Sequence, residues 1–182
     1  MDATSAINLI SNHVQSYLKV DGGSLTLNVD GSYCHHDGSI SCGGCIRDHQ
    51  GNWKTSFSRN LDKGSIFQAE MWGTILGLHL AWDNGMRAIT VETNSKQVLN
   101  FINGNFDNSC QHYPLYREVI QLLARDWHVI LRYVPRENNS VADKLPNFGH
   151  SLSLGTKVYQ FPPAVGIVPL NEDRTKAGLG LV

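Results

Sequence analysis

Three carboxylate residues stand in sequence contexts that suit metal-ion chemistry. Asp30 follows an alternating apolar run, Glu70 lies near the start of a long apolar helical stripe, and Asp143 lies in a short helical segment. Strand parity places Asp30 on the face opposite to Leu27 and Val29. A single carboxylate is usually solvated or caps a helix, but a charge inside a central strand is costly unless it is paired or bound to metal. Acids that converge from different elements would form a hard oxygen site for Mg²⁺ or Mn²⁺.

The residue pattern around these acids predicts the elements that must position them. Apolar alternation predicts strands at 24–34, 40–47 and 53–59, and short apolar runs predict strands at 88–92 and 128–134. Apolar spacings of three and four predict helices at 65–84, 95–103, 113–126 and 140–145. This order favours an α/β fold with a five-stranded mixed sheet, in which a three-strand antiparallel meander precedes strand–helix units and helices flank the sheet.

The composition is that of one globular domain. The chain has 182 residues, of which 41% are hydrophobic and 17% charged, with a formal net charge of −1. This charge excludes a strong overall attraction to nucleic acid or anionic membrane, so a nucleic-acid binder of this kind needs a local patch or bound metal. The apolar runs are too short to span a bilayer, and the first residues lack the pattern of a secretory signal. We expect an intracellular protein, nuclear or cytoplasmic, that makes no membrane contact and is a monomer.

The chain divides into three predicted segments. Residues 1–22 have helical apolar spacing that ends at a Gly-rich turn, which is compatible with a helical extension or with a linker. Residues 23–150 contain all the elements of the predicted domain. Residues 151–182 hold three prolines and scattered apolar positions, which favours an extended tail over a second domain.

Two of the four cysteines form a CxxC pattern, at Cys42 and Cys45. Both lie in the predicted strand at 40–47, and side chains three positions apart in a strand point to opposite faces. They are therefore not expected to share a zinc ion, and no second cysteine or histidine pair follows at zinc-finger spacing. We expect small, buried, reduced cysteines.

Five segments around the acids resemble one family in the same order along the chain. They are LNVDGSY at 27–33, GGCIRDHQGNW at 43–53, QAEMWGTILGLHLAWDNG at 68–85, ITVETNS at 89–95 and YVPRENNSVAD at 133–143. Together they resemble the plant reverse-transcriptase-derived ribonuclease H-like domain, over about residues 24–149. The segment SLSLGTKVYQFPP at 151–163 is also similar to the C-terminal extension of that group.

The resemblance implies a ribonuclease H-like fold and the hydrolysis of RNA in RNA–DNA hybrids with two divalent ions, Mg²⁺ or Mn²⁺, about 3.5–4 Å apart. By position, Asp30 would bridge both ions, Glu70 would hold one of them, and Asp143 would complete the second coordination sphere. The fourth catalytic position of the family falls at Asn94. The resemblance also implies that the hybrid is recognised through its backbone shape and 2′-hydroxyls rather than its base sequence.

Three departures from the family pattern lie in the predicted catalytic apparatus. Asn94 supplies a carbonyl oxygen without charge where an acid is usual, and Glu92 is too far along the strand to replace it. Tyr133 stands where many relatives have a histidine, and a phenol is a poor proton shuttle at neutral pH. Pro146 is expected to shorten the last helix, so that this helix holds Asp143 less rigidly.

These departures leave three hypotheses. The first is a metal-dependent nuclease that is weakened by Asn94 and Tyr133. The second is a non-catalytic module, derived from a retroelement, that binds nucleic acid or a protein. The third is a decayed fragment without a molecular role.

Overall fold

The computed structural model describes residues 24–106 and 111–163, which form a mixed sheet with helices on both faces. The strands are β1 (Leu25–Tyr33), β2 (Ser39–Arg47), β3 (Trp53–Lys63), β4 (Ala88–Thr93), β5 (His128–Tyr133) and β6 (Gly155–Tyr159). The helices are α1 (Ile66–Asp83), α2 (Lys96–Ile102), α3 (Tyr113–Leu123) and α4 (Ser140–Gly149), and a 3₁₀ turn covers Arg136–Asn138. The predicted extension at 1–22 and the part of the tail beyond residue 163 lie outside the described residues.

The sheet has the order β5-β4-β1-β2-β3-β6. Strands β1, β2 and β3 form the predicted antiparallel meander. Strand β4 pairs with β1 in parallel, and β5 pairs with β4 in parallel. The α/β class and the meander followed by strand–helix units are confirmed, and β1 lies at the centre of the sheet with a neighbour on each side.

The predicted number of strands was wrong by one. Gly155–Tyr159 forms β6 and pairs antiparallel with β3, so the sheet has six strands rather than five. The segment is extended, as we predicted for 151–182, but it lies in the sheet. Strand β6 is an edge strand whose side chains are mostly exposed, and it has few apolar residues. The alternation of apolar and polar residues that predicted the other strands is therefore missing here.

The two faces of the sheet are covered by different helices. Helices α1, α2 and α3 cover one face, where apolar residues of β1, β2 and β4 join theirs in one large core. Of the described helices, only α4 packs on the other face, against β1, β2 and β3. Among the described residues, no helix is long and apolar enough to cross a membrane.

The cysteines of the CxxC pattern lie on opposite faces of β2, as their spacing predicts. A β-carbon built on Gly73 of α1 would be 3.6 Å from Cβ of Cys42, whereas Cys45 packs with Leu145 of α4. Both cysteines are buried and neither is in a disulfide. Burial raises the pKa of the Cys42 thiol, so this group stays protonated.

The last helix continues through Pro146, so the prediction that this residue shortens it was wrong. Helix α4 runs from Ser140 to Gly149 with Pro146 inside it. Two buried hydroxyls of the sheet donate hydrogen bonds to carbonyl oxygens at this point: Ser58 Oγ to Leu145 at 2.8 Å and Ser41 Oγ to Pro146 at 2.5 Å. These tertiary contacts hold the helix on the sheet despite the missing proline amide.

Candidate active site

Asp30 lies in the central strand with its side chain on the α4 side of the sheet. Only 4% of the residue is exposed. Its Oδ1 accepts a hydrogen bond from the Gly31 amide at 2.9 Å, whereas Oδ2 is buried without a hydrogen-bond partner among the described residues. Because burial disfavours the charged form, the pKa of Asp30 is raised from 3.8 to about 7.

Glu70 approaches Asp30 because α1 crosses β1 at a glycine. A β-carbon built on Gly31 would lie only 2.6 Å from the Glu70 amide nitrogen, so no side chain fits between the helix and the strand. Ser65 caps the start of α1 through a reciprocal capping box with Gln68, which fixes where the helix begins and hence where Glu70 lies. Burial raises the pKa of the Glu70 carboxyl, and a hydrogen bond from the Ser95 side chain opposes the shift.

Asn94 follows directly after β4, at the carboxyl end of the strand that pairs with β1. The parallel register joins Val29 to Thr93, so Asn94 lies one residue further along, as Asp30 does on the neighbouring strand. The Oδ1 atom of Asn94 is buried and meets no hydrogen-bond partner in the described part of the chain. The next residue, Ser95, caps α2 by accepting from the Val98 amide. Asn94 thus presents a second unpartnered oxygen near the start of that helix.

Asp143 lies in the first turn of α4 and forms an ion pair with Arg136. The Nε atom of Arg136 donates to Oδ1 of Asp143 at 3.0 Å, and Nη2 contacts the same oxygen. The Asp143 side chain is 22% exposed and that of Arg136 71% exposed, so the guanidinium covers the acid from the solvent side. This pairing raises the pKa of Arg136, which therefore remains charged.

The three acids and Arg136 share one electrostatic neighbourhood. The charges of Asp143 and Glu70 raise the pKa of Asp30, whereas that of Arg136 lowers it, although burial is the largest cause. Arg136 in turn interacts with all three carboxylates, most strongly with Asp143. The charges of the three predicted acids therefore act on one another or on Arg136, and Asp30 and Asn94 lie at the same level of two adjacent strands.

The sequence analysis missed a buried amide pair that joins α4 to the central strand. The Nδ2 atom of Asn139 donates to the Val29 carbonyl oxygen at 2.9 Å, and its Oδ1 accepts from Asn28 at 3.0 Å. Asn139 directly precedes α4 and is 1% exposed. Because its partners lie beside Asp30 and its own helix carries Asp143, this contact fixes the two acids relative to each other. A polar residue before a helix normally indicates a cap, and nothing local indicated a strand partner.

Glu92 and Tyr133 are both engaged outside the acidic group. Glu92 accepts from Asn28 at 2.9 Å and lies 3.5 Å from Nη1 of Arg132. It is therefore already paired, which agrees with the expectation that it does not replace the acid missing at Asn94. The exposed ring of Tyr133 has the Lys96 ammonium 5.0 Å from its centre.

The donor atoms fit a divalent cation only in part. Asp30, Glu70 and Asn94 offer hard oxygen ligands of the kind that Mg²⁺ and Mn²⁺ prefer, and two of these oxygens are buried without partners among the described residues. Asp143, by contrast, is covered by Arg136. Within residues 24–106 and 111–163, no three His, Cys, Asp or Glu side chains are arranged to hold a metal ion. The oxygens therefore suit one ion more readily than two.

Comparison with known proteins gives the lineage of this arrangement. Residues 28–149 match the family described as "Reverse transcriptase-like". The chain belongs to this family of ribonuclease H-like domains. It is also similar to an Arabidopsis thaliana protein named "Putative ribonuclease H protein", with 34% identity over 151 residues. That match covers 83% of this chain but 24% of the relative, so the chain spans about a quarter of the relative's length.

Solved structures of low sequence identity share the fold. RNase H1 from the halophilic archaeon Halobacterium salinarum is 23% identical with a TM-score of 0.65, and the match covers 71% of this chain and 98% of that one. LC11-RNase H1 in complex with an RNA/DNA hybrid is 20% identical with a TM-score of 0.62, over 70% of this chain and 97% of that one. The ribonuclease H-like fold is thus confirmed together with the family.

Proposed function

We propose that this chain is a ribonuclease H-type domain that binds RNA–DNA hybrids and hydrolyses the RNA strand with Mg²⁺ or Mn²⁺, at a rate lowered by Asn94 and Tyr133. The observation that carries the proposal is the unpartnered Oδ2 of Asp30, a carboxylate oxygen buried beside two further acids. An oxygen of this kind costs free energy in the folded protein unless a cation neutralises it. A bound divalent ion would recover that cost.

Four side chains would form the cation site in this proposal. Asp30, Glu70 and Asn94 would hold a divalent ion, and Asp143 would line the other side of the site, where a second positive charge is needed. A bound ion would supply Lewis-acid activation of the phosphate and of water. The chain's own contribution is to place these oxygens on rigid elements: Asp30 on a central strand, Glu70 on a capped helix, and Asp143 on a helix tied to β1 by Asn139.

Asn94 lowers the proposed rate through charge. An amide oxygen binds a cation less strongly than a carboxylate does, and the site has one negative charge fewer to offset the ion. Removing one electrostatic element of a preorganised site commonly costs about 100- to 1,000-fold in rate. Tyr133 adds a smaller loss, because its ring contacts the Lys96 ammonium and not the acids.

The proposed substrate class rests on relatives. LC11-RNase H1 and the foamy viral protease-reverse transcriptase were both solved in complex with an RNA/DNA hybrid. We infer the same partner for this chain, recognised by backbone shape, and an intracellular location, nuclear or cytoplasmic, where such hybrids form.

Cleavage of a labelled RNA–DNA hybrid tests the proposal. The assay compares wild type, Asp30→Asn and Asn94→Asp with Mg²⁺ or Mn²⁺. We expect slow cleavage by wild type, none by Asp30→Asn, and about 100-fold faster cleavage by Asn94→Asp. Asn100→Asp, on the exposed side of α2, adds the same charge away from the acids and should leave the rate unchanged. If neither wild type nor Asn94→Asp cuts the hybrid, the nuclease proposal fails.

A second function is favoured by the Arg136–Asp143 ion pair. With Asn94 neutral and Asp143 covered, the domain would bind a hybrid or a protein without cutting. Hybrid binding measured over a salt series separates this function from hydrolysis, because contacts with phosphates release counterions and weaken steeply as salt rises. Salt-sensitive binding by an inactive wild type would support the binding module, and binding too weak to measure would exclude it.

A further inference from the structure

We propose that the Arg136 guanidinium takes the place of one of two divalent ions, so that the domain binds a single Mg²⁺ or Mn²⁺ ion at Asp30, Glu70 and Asn94. Asp143 stays paired with Arg136 in this arrangement. The inference rests on the proposed function, because it specifies the cation content of the same acidic site.

The two sides of the site differ in what already occupies them. On the Asp143 side, the guanidinium contacts a carboxylate oxygen through two nitrogens. On the Asn94 side, the Oδ1 of Asn94 and the Oδ2 of Asp30 are buried and meet no partner in the described residues. The protein therefore supplies its own cation at one position and leaves oxygen donors open at the other.

A fixed backbone presents Arg136 to the acids. Arg136 begins the 3₁₀ turn that leads into α4, and Pro135 before it has its φ restricted by its ring. The turn ends at Asn139, whose side chain is anchored on the Val29 carbonyl of β1. The turn is thus restrained at its start by the ring of Pro135 and anchored at its end by Asn139, which favours the contact between Arg136 and Asp143.

Charge balance agrees with one ion. Asp30, Glu70 and Asp143 carry three negative charges when all are ionised, and Arg136 with one divalent ion supplies three positive charges. A site with a fourth acid at position 94 would carry four negative charges, which two divalent ions would balance. Asn94 and Arg136 therefore act in the same direction, since each reduces the demand for a second ion.

The guanidinium lies at the solvent side of the site. The Arg136 side chain is largely exposed, whereas its partner Asp143 is mostly buried and Asp30 is fully so. A second ion that reached Asp143 would have to displace this charge-assisted contact, which costs more than a neutral hydrogen bond does. Binding of a second ion should accordingly be much weaker than binding of the first.

Calorimetric titration of the whole chain with Mn²⁺, in the absence of nucleic acid, tests the proposal. We expect one ion per wild-type chain and two for Arg136→Gln, or at least a tenfold tighter second ion in that variant. Asp30→Asn should bind neither ion measurably. Arg117→Gln on α3 removes a positive charge remote from the acids and should behave as wild type. Circular dichroism of each variant establishes that it is folded.

Several results would overturn the proposal. They are two equivalent ions in wild type, no bound ion in any form, equal binding by wild type and folded Arg136→Gln, or the same gain from Arg117→Gln. The outcome is separate from that of the cleavage assay, because stoichiometry is measured without substrate. Failure of Asn94→Asp to cut a hybrid would remove the nuclease proposal and leave the measured number of ions as it stands.

Discussion

The two faces of the sheet differ in what holds the helices on them. The face under α1 is apolar, with large side chains of strands and helices packed in one core: Leu27, Val29, Ile46, Met71, Ile75, Leu78 and Val91. The face under α4 has a smaller apolar cluster around Leu145 and Cys45, and hydroxyls of the sheet donate hydrogen bonds to the helix. Much of this face is formed by polar and small residues: Asn28, Asp30, Ser41, Gly43 and Ser58.

The two faces of the sheet therefore contribute differently to folding and to the positions of the acids. Burial of apolar surface is non-directional and scales with area, so the α1 face contributes most of the free energy of folding. Buried amides and hydroxyls contribute less but are directional, so the α4 face fixes where Asp143 lies relative to Asp30. Helix α1 packs against β1 at Gly31, the residue that follows Asp30.

The largest loss of stability is expected from truncation in the apolar core. Leu78 is fully buried between α1 and the sheet, so Leu78→Ala should lower the free energy of unfolding by about 3 kcal/mol, measured by denaturant titration. Leu76 of the same helix is only partly buried, and Leu76→Ala should cost clearly less. Equal losses for the two would contradict the assignment of the core to one side of α1.

Removal of the amide pair should be the next largest effect. Asn139→Ala leaves the Val29 carbonyl and the Asn28 amide without their buried partner, so we expect a loss of about 2 kcal/mol in the free energy of unfolding. Asn138→Ala, an exposed neighbour, should change the unfolding free energy by less than about 0.5 kcal/mol. A neutral Asn139→Ala would mean that the amide contacts do not tie α4 to β1.

Substitution of Asp30 by Asn should stabilise the folded protein at high pH, whereas most substitutions of buried residues destabilise it. The Asp30 pKa of about 7, against 3.8 unperturbed, means that the folded state binds the proton more tightly than the unfolded state. The contribution of Asp30 to the free energy of unfolding should therefore fall as pH rises from about 4 to 7 and then level off. Asn cannot ionise, so in EDTA at pH 8 Asp30→Asn should be more stable than wild type by about 2 kcal/mol.

The same comparison at pH 4 supplies the check. There the folded state of wild type carries a protonated Asp30, and the unfolded state, with a pKa of 3.8, has only begun to gain from ionising it, so most of the advantage of Asp30→Asn should vanish. Asp126→Asn, at an exposed position, should show no such convergence. If the difference between Asp30→Asn and wild type were constant from pH 4 to 8, burial would not be the cause of the raised pKa.

The smallest effect is expected at single hydroxyls under α4. Ser41→Ala removes the donor to the Pro146 carbonyl and should cost about 1 kcal/mol in the free energy of unfolding. Ser56 is equally buried, but its hydroxyl meets no partner in residues 24–106 and 111–163, so Ser56→Ala should be neutral or stabilising. A larger loss at Ser56 than at Ser41 would contradict the role of the helix-binding hydroxyl.

Local patterns predicted the elements well. The strand expected at 24–34 is Leu25–Tyr33, and the helix expected at 65–84 is Ile66–Asp83. Both predictions are confirmed because the apolar residues keep the spacing of a strand or a helix through the whole element, and polar or Gly-rich residues stand at its ends. The failures involve partners far away in the sequence. The continuation of α4 through Pro146 depends on hydroxyls of β2 and β3.

The acids could be named from the sequence, but their neighbours could not. Asp30 interrupts an apolar strand, which is a visible signal. Arg136 and Asp143 are separated by a 3₁₀ turn and a helix start, a spacing for which no regular periodicity predicts a contact. The role of Asn139 depends on the backbone of β1, more than 100 residues earlier. The sequence therefore indicated which acids could bind a cation, whereas the pairing of Asp143 with Arg136 depended on the fold.

The sixth strand has a consequence for the way the chain is made. Residues 156–159 cover the outer edge of β3 at Ser56–Arg59, so about 100 residues must be synthesised between one strand and its partner. At roughly 5–20 residues per second, the ribosome needs about 5–20 s for this stretch. During that interval the edge of β3 presents unpaired amides and carbonyls to other nascent chains. Of the strands in residues 24–106 and 111–163, β6 is the last to leave the ribosome, and its pairing with β3 closes this edge.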